Sequence, residues 1–237
     1  METQRVEIPR KTMVLFFLVD TSGSMSGDKI GSLNDAIRET VPDLKDLSCC
    51  NSDAVIKIAV LQFDTNVRWL TPQPVDSEQF VWSDLNAEGL TSLGAAIEEL
   101  NVKLSKSAFM HEATGSYAPV IILLSDGEPT DNFEAAMQKI KSNAWFKHSI
   151  KVAIAIGNGA DKNILAQFTG NSEAVIEVHN KAALKSIIRF ASITSSQINS
   201  HSSGVGDTTN QDKVIGQIQD FIDTENIEDD VLDEFDN

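Results

Sequence analysis

Cysteine, long apolar runs and positive charge are all scarce in this sequence, and each shortage closes a class of function. Only two cysteines occur, Cys49 and Cys50, side by side. Adjacent cysteines rarely bridge one another and no third exists to complete a framework, which excludes a disulfide scaffold. There is no C-x-x-C, and His111, His148, His179 and His201 lack zinc spacing. The longest apolar run, Met13 to Val19, is far short of the ~20 residues that span a bilayer. Asp20 and a glycine/serine turn follow it directly, with no small-residue cleavage pattern, so it is not a signal-peptide core. A cytoplasmic protein without a membrane span is expected. Lysine and arginine number 19 against 35 aspartates and glutamates, a net charge of -16. Residues 201–237 hold eleven of those acids and a single base, Lys213, which leaves -6 on the first 200 residues. Nucleic-acid binding needs clustered Lys and Arg to replace counterions, so that class is excluded too.

What is present is a hydrophobic content of 41%, enough for a sizeable core, arranged in alternating periods. Apolar-rich stretches at 13–19, 54–63, 120–124, 149–156 and 174–178 read as strands, and 13–19 and 120–124, which are unbroken, as strands covered on both faces. Between them, stripes at spacings of three and four predict helices over 28–47, 92–105, 131–145, 161–169 and 180–195. Pro42 is expected to kink or stop the first of these. Asp64-Thr65-Asn66 reads as a turn into a short antiparallel edge strand at Val67 to Leu70, and 71–90 as a long loop. Strands alternating with helices imply an α/β fold, a doubly wound, mostly parallel sheet with one antiparallel edge strand.

Composition changes near residue 196. A single domain is expected over 10–196, a flexible linker over 197–213 and an acidic amphipathic tail over 214–237. The tail carries Val214, Ile215, Ile218, Phe221 and Ile222. It is therefore too apolar to be only a solvating tail, and docking on a partner or on its own body is expected. Thr208, Thr209 and Thr224 are candidate phosphorylation sites there.

The chemistry lies at strand ends. In open α/β sheets ligands bind outside the carboxyl ends of strands, where the topology reverses. The first strand ends in Asp20-Thr21-Ser22-Gly23-Ser24, a carboxylate and two alternate hydroxyls in a glycine-rich turn. Thr91 precedes the second helix, and Asp126 ends the strand that begins at Val120. Two carboxylates, three hydroxyls and water make an octahedral set of hard oxygens suited to Mg²⁺ or Mn²⁺, with one face open.

In this order and context, Asp20, Ser22 and Ser24 with Thr91 and Asp126 resemble the metal-ion-dependent adhesion site of von Willebrand factor A domains. The likeness extends over about residues 10–195. It implies a module that binds protein partners by letting a partner's Asp or Glu complete the metal shell. The wording DTSGSMSGDKI, GLTSLG and LLSDGEPTD is most similar to cytosolic bacterial proteins of the tellurium-resistance TerY/YegL type. That likeness implies stress-response or signalling systems with Ser/Thr kinases and PP2C-type phosphatases as company.

Catalysis is not expected. An aspartyl-phosphate enzyme needs a second carboxylate two residues after Asp20, where Ser22 stands, and no lysine stands out as its charge clamp. Walker A, Gly-x-Ser-x-Gly and metallohydrolase histidine signatures are missing. Asp28, Asp131 and Asp161 read as helix N-caps, and Asp64 as a turn residue. Trp82 in the long loop, Glu128 beside Asp126, and Phe221 and Ile222 in the tail are the candidate partner contacts.

Overall fold

The computed structural model describes residues 10–111, 115–200, 209–225 and Phe235. Its centre is β1 (Lys11–Asp20), whose residues after Lys11 are all buried. Parallel partners flank it on both sides, β2 (Ala54–Phe63) and β5 (Val120–Ser125). Outward from β5 follow β6 (Ile150–Ile156) and β7 (Val175–Val178), both parallel. On the other side β3 (Val67–Trp69) and β4 (Val75–Asp76) both pair antiparallel with β2. The strand β4 lies in the segment expected to be wholly loop. Its two residues are too few for a periodic signal to show in the sequence.

Because β1 faces helices on both sides, its alternate side chains feed two separate cores. Met13, Leu15, Phe17 and Val19 join the layer of α1 (Asp28–Cys50) and α6 (Lys181–Ser200). Val14, Phe16 and Leu18 join the layer of α2 (Leu93–Lys103), α3 (Phe133–Ile140) and α5 (Lys162–Thr169). Burial at both faces explains why the sequence shows an unbroken apolar run here.

Several helix boundaries differ from expectation. Pro42 lies inside α1, which continues unbroken to Cys50. Val41 and Leu44 are buried on either side of it, and this packing holds the helix through the lost backbone bond. The stripe at 131–145 is two helices, because Asn143 accepts the Trp145 and Phe146 N–H groups and starts α4 (Ala144–His148). Asp28 is the first residue of α1 and pairs with Lys181, while Gly27 occupies the N-cap position. Asp161 does cap α5, accepting from the N–H groups of Asn163 and Ile164.

The last helix, α7 (Asn210–Glu225), starts inside the segment expected as a linker, and α6 runs beyond residue 196 to Ser200. Val214, Ile215, Ile218 and Ile222 of α7 are buried. Phe221 stacks on Phe190 of α6, with centroids 4.1 Å apart. The Gln211 side chain bonds both the N–H and the C=O of Lys151, each at 2.7 Å. This pair satisfies β6 ahead of Ala153, where its pairing with β7 begins. The predicted docking contacts Phe221 and Ile222 thus face the protein's own body. Among the described residues no helix is long and apolar enough to cross a membrane.

Candidate metal centre

The order β2-β1-β5 makes the carboxyl end of β1 a point where chain connections leave in opposite directions, the usual place for a ligand cleft. Asp20 ends β1 and Ser125 ends β5. Asp20 is fully buried. One of its carboxylate oxygens accepts the Ser22 N–H at 2.8 Å, and the other accepts the Ser125 hydroxyl at 2.5 Å. Burial pushes the Asp20 carboxyl up to about 6, assisted by the charge of Asp126 and opposed by the bonds from Ser125 and Ser22.

From Asp20 a chain of oxygens crosses to Asp126. The Ser22 and Ser24 hydroxyls are 3.0 Å apart, and Ser24 donates to Asp126 Oδ1 at 2.8 Å. Asp126 is buried, and its second oxygen, Oδ2, is held by Lys29 Nζ at 2.9 Å. Thr91 enters from the third segment. A Cβ built on Gly127 would lie 3.6 Å from both Ser24 Oγ and Thr91 Oγ1. Those two hydroxyls therefore flank one point beside Gly127, where a Cβ would make ordinary contact with both.

The three loops are tied together by backbone. Gly23 N–H donates to the Gly89 carbonyl at 3.0 Å. Gly89 has φ +78, and a Cβ on it would come within 2.4 Å of Thr65 Oγ1, so only glycine fits this approach. The Thr91 carbonyl accepts the Thr130 N–H at 2.8 Å and the Thr130 hydroxyl at 3.1 Å. Asp131, expected to cap its own helix, instead accepts the Gly94 and Ala95 N–H groups at 2.8 Å each. It caps α2 from across the cleft and fixes the loop that carries Thr91. The Asp64 side chain accepts the Asn66 N–H at 2.6 Å, a turn role.

All five residues singled out from the sequence thus meet at one rim. Among the described residues no three His, Cys, Asp or Glu side chains converge, so the donor set rests on two carboxylates and hydroxyls. Such oxygens fit a small hard cation that keeps some water. Sequence reasoning missed Lys29, Ser125, Thr130 and Asp131. Ser125 immediately precedes Asp126 and could have been found from that neighbour. Lys29 had no local signal, since its partner is 97 residues away.

The candidate partner contacts divide. Glu128 is exposed beside Asp126. Leu90, 59% exposed, adjoins Thr91. Trp82 is corrected: it is 7% exposed, packs in the α1/α6 core and donates its ring N–H to Asn34 Oδ1 at 3.1 Å. Its neighbour Val81, 78% exposed, is the residue that faces outward.

Known proteins share this fold. Proximal thread matrix protein 1 from the mussel byssus, solved with a zinc-occupied MIDAS motif, superposes with a TM-score of 0.58 at 18% identity. The overlap covers 76% of this chain and 47% of that one. A von Willebrand factor type A protein from Catenulispora acidiphila gives 0.56 at 18% identity, covering 78% and 42%. Inter-alpha-trypsin inhibitor heavy chain H2 of Mus musculus is 25% identical over 176 residues, 69% of this chain but only 17% of that relative. This chain therefore spans less than half of the relatives' length, and the likeness concerns one domain of larger proteins. The von Willebrand factor type A sequence model itself matches residues 15–190, from the first strand into α6 and across every loop of the rim. With that match added to the sheet order, the chain belongs to the von Willebrand factor type A domain family.

Proposed function

We propose that the rim is a metal-ion-dependent adhesion site, in which Asp20, Ser22, Ser24, Thr91 and Asp126 hold Mg²⁺ or Mn²⁺ and a protein partner supplies a carboxylate. One observation carries the reading: two buried carboxylates and three hydroxyls from three separate loops meet at one rim around Gly127. The bound ion supplies a Lewis-acidic point of attachment for an Asp or Glu of the partner. Asp20 and Asp126 provide the charge, and the hydroxyls orient the oxygen donors. Asp131 and Thr130 keep the Thr91 loop in place, and Ser125 holds the Asp20 carboxylate in its rotamer. Leu90 and Glu128, both exposed at the rim, are the side chains a partner meets next to the ion.

Binding without turnover is proposed: both rim carboxylates, Asp20 and Asp126, are assigned to the ion, and no histidine or cysteine is among the described side chains bonded to them. The setting is proposed to be the bacterial cytoplasm, in a tellurium-resistance type stress response with a Ser/Thr kinase and a PP2C-type phosphatase nearby. Support for that setting is confined to the loop wording DTSGSMSGDKI, GLTSLG and LLSDGEPTD.

Isothermal titration of Mg²⁺, Mn²⁺ and Zn²⁺ into chelator-treated protein, beside Asp20→Ala, tests the site. Saturable one-site binding that the substitution removes is expected. Zinc is included because of the mussel protein, although oxygen-only donors favour the harder ions. Absence of binding for all three ions would reduce the rim to a structural turn.

A further inference from the structure

Among the described residues, Lys29 is a charged side chain at this centre that the adhesion-site reading leaves without a role. It is the second residue of α1, and its side chain is 9% exposed against 0% for Asp126. Its ammonium contacts Asp126 Oδ2 at 2.9 Å, on the carboxylate oxygen that Ser24 does not use. A lysine placed only to pack would carry its charge outward, because burying an ammonium is costly unless it is paired. Here the cation is directed into the rim and fixed.

The consequence is one of charge. Among these three side chains, Asp20 and Asp126 bring two negative charges and Lys29 one positive, which sum to minus one without metal. Loading with a divalent ion brings the sum to plus one. Without Lys29 the loaded centre would be neutral, and an anion would be held by coordination to the ion without the added pull of a net positive charge. In this buried, weakly screened position a unit charge changes affinities strongly. It acts in opposite directions on the two ligands: it repels the metal ion and attracts the partner's carboxylate.

We propose that Lys29 sets the ligand preference of the centre, its ammonium on Asp126 lowering metal affinity in exchange for a cationic loaded site that selects anionic partner groups. This rests on the adhesion-site reading. The division of labour is specific: Asp20, Ser22, Ser24, Thr91 and Asp126 hold the ion, and Lys29 determines what the ion then accepts.

The test uses Mn²⁺ as metal and acetate as probe on the full chain. Mn²⁺ affinity is read by calorimetry, and acetate binding by the fall in water-proton relaxation as acetate displaces water from the bound ion. Lys29→Gln keeps a hydrogen-bond donor for Asp126 and removes the charge. It is expected to bind Mn²⁺ on the order of tenfold more tightly and acetate on the order of tenfold more weakly than wild type. A merely structural Lys29 moves both affinities the same way, or neither, and either result overturns the proposal. Asp126→Asn provides a second arm should Lys29→Gln not fold. It leaves the ammonium in place and the loaded centre at plus two, so Mn²⁺ weakens and acetate tightens, whereas unchanged or weaker acetate binding overturns the proposal. Failure of wild type to bind Mn²⁺ at all is a different result: it removes the adhesion site itself and this inference with it.

Discussion

At the scale of single residues, the Asp20 carboxylate is costly to the metal-free protein. Its folded value of about 6 lies above the ordinary 3.8, so between those values the folded state holds a proton that the unfolded state has released. Stability therefore falls as pH rises through this window, and above about 6 the loss is complete, on the order of 3 kcal/mol. Asp20→Asn removes the charge while its amide oxygen still accepts the Ser22 N–H. Chemical denaturation in EDTA at pH 7.5 is expected to find this variant more stable than wild type by about 1–3 kcal/mol, with the difference vanishing near pH 4. The same substitution abolishes stabilisation by Mg²⁺. Metal affinity in wild type is expected to weaken below about pH 6, where a proton competes for Asp20. Trp82 gives the opposite kind of residue test. Trp82→Ala empties a core site and leaves Asn34 Oδ1 without its indole donor, at a cost of about 3–5 kcal/mol. A urea midpoint within error of wild type would return Trp82 to the partner surface.

At the scale of elements, the notable device is a cap supplied from another segment. Asp131 occupies the first N–H groups of α2 at Gly94 and Ala95, so one side chain both caps a helix and joins two rim loops. A Cβ on Gly94 would lie 2.9 Å from Asp131 Oδ1, which makes the glycine a condition of this contact. Asp131→Ala is expected to cost about 1–2 kcal/mol as a lost cap. It should also weaken Mg²⁺ binding severalfold by freeing the Thr91 loop, although Asp131 is not among the proposed ligands. Calorimetry shows whether the metal effect is present. If stability falls and affinity does not, the cap and the centre are independent.

At the scale of the whole molecule, α7 is part of the body. Four of its aliphatic side chains are buried, and its amino end is bonded to β6 through Gln211. Truncation after Ser200 uncovers the α6 face that receives Phe221 and the core surface that buries Ile222. A loss of several kcal/mol is expected from the apolar area alone, offset in part by the regained chain entropy. The urea midpoint and dye binding to exposed apolar surface check this. An unchanged midpoint would mean that α7 is a detachable tail after all, available to a partner.

The strands were legible because a sheet buried on both faces favours apolar runs: β1 and β5 are unbroken over 13–19 and 120–124, and β2 and β6 are interrupted only by Lys57, Gln62 and Lys151. Asp20, Ser22, Ser24, Thr91 and Asp126 were legible because each sits at a strand end or helix start that local pattern locates. The continuity of α1 through Pro42, the burial of Trp82 and the choice of the protein's own body as the surface on which α7 docks were not legible. Each depends on a neighbour far along the chain, and propensity speaks only for local segments. The same distinction holds at the rim. The sequence by itself determined which oxygens could form a metal centre, since each is identified by its place in its own strand–loop–helix unit. The tertiary structure alone decided which charges surround them: the sequence separation of 97 between Lys29 and Asp126 is closed only when β1 and β5 pair, and electrostatic energy depends on distance in space, not in sequence.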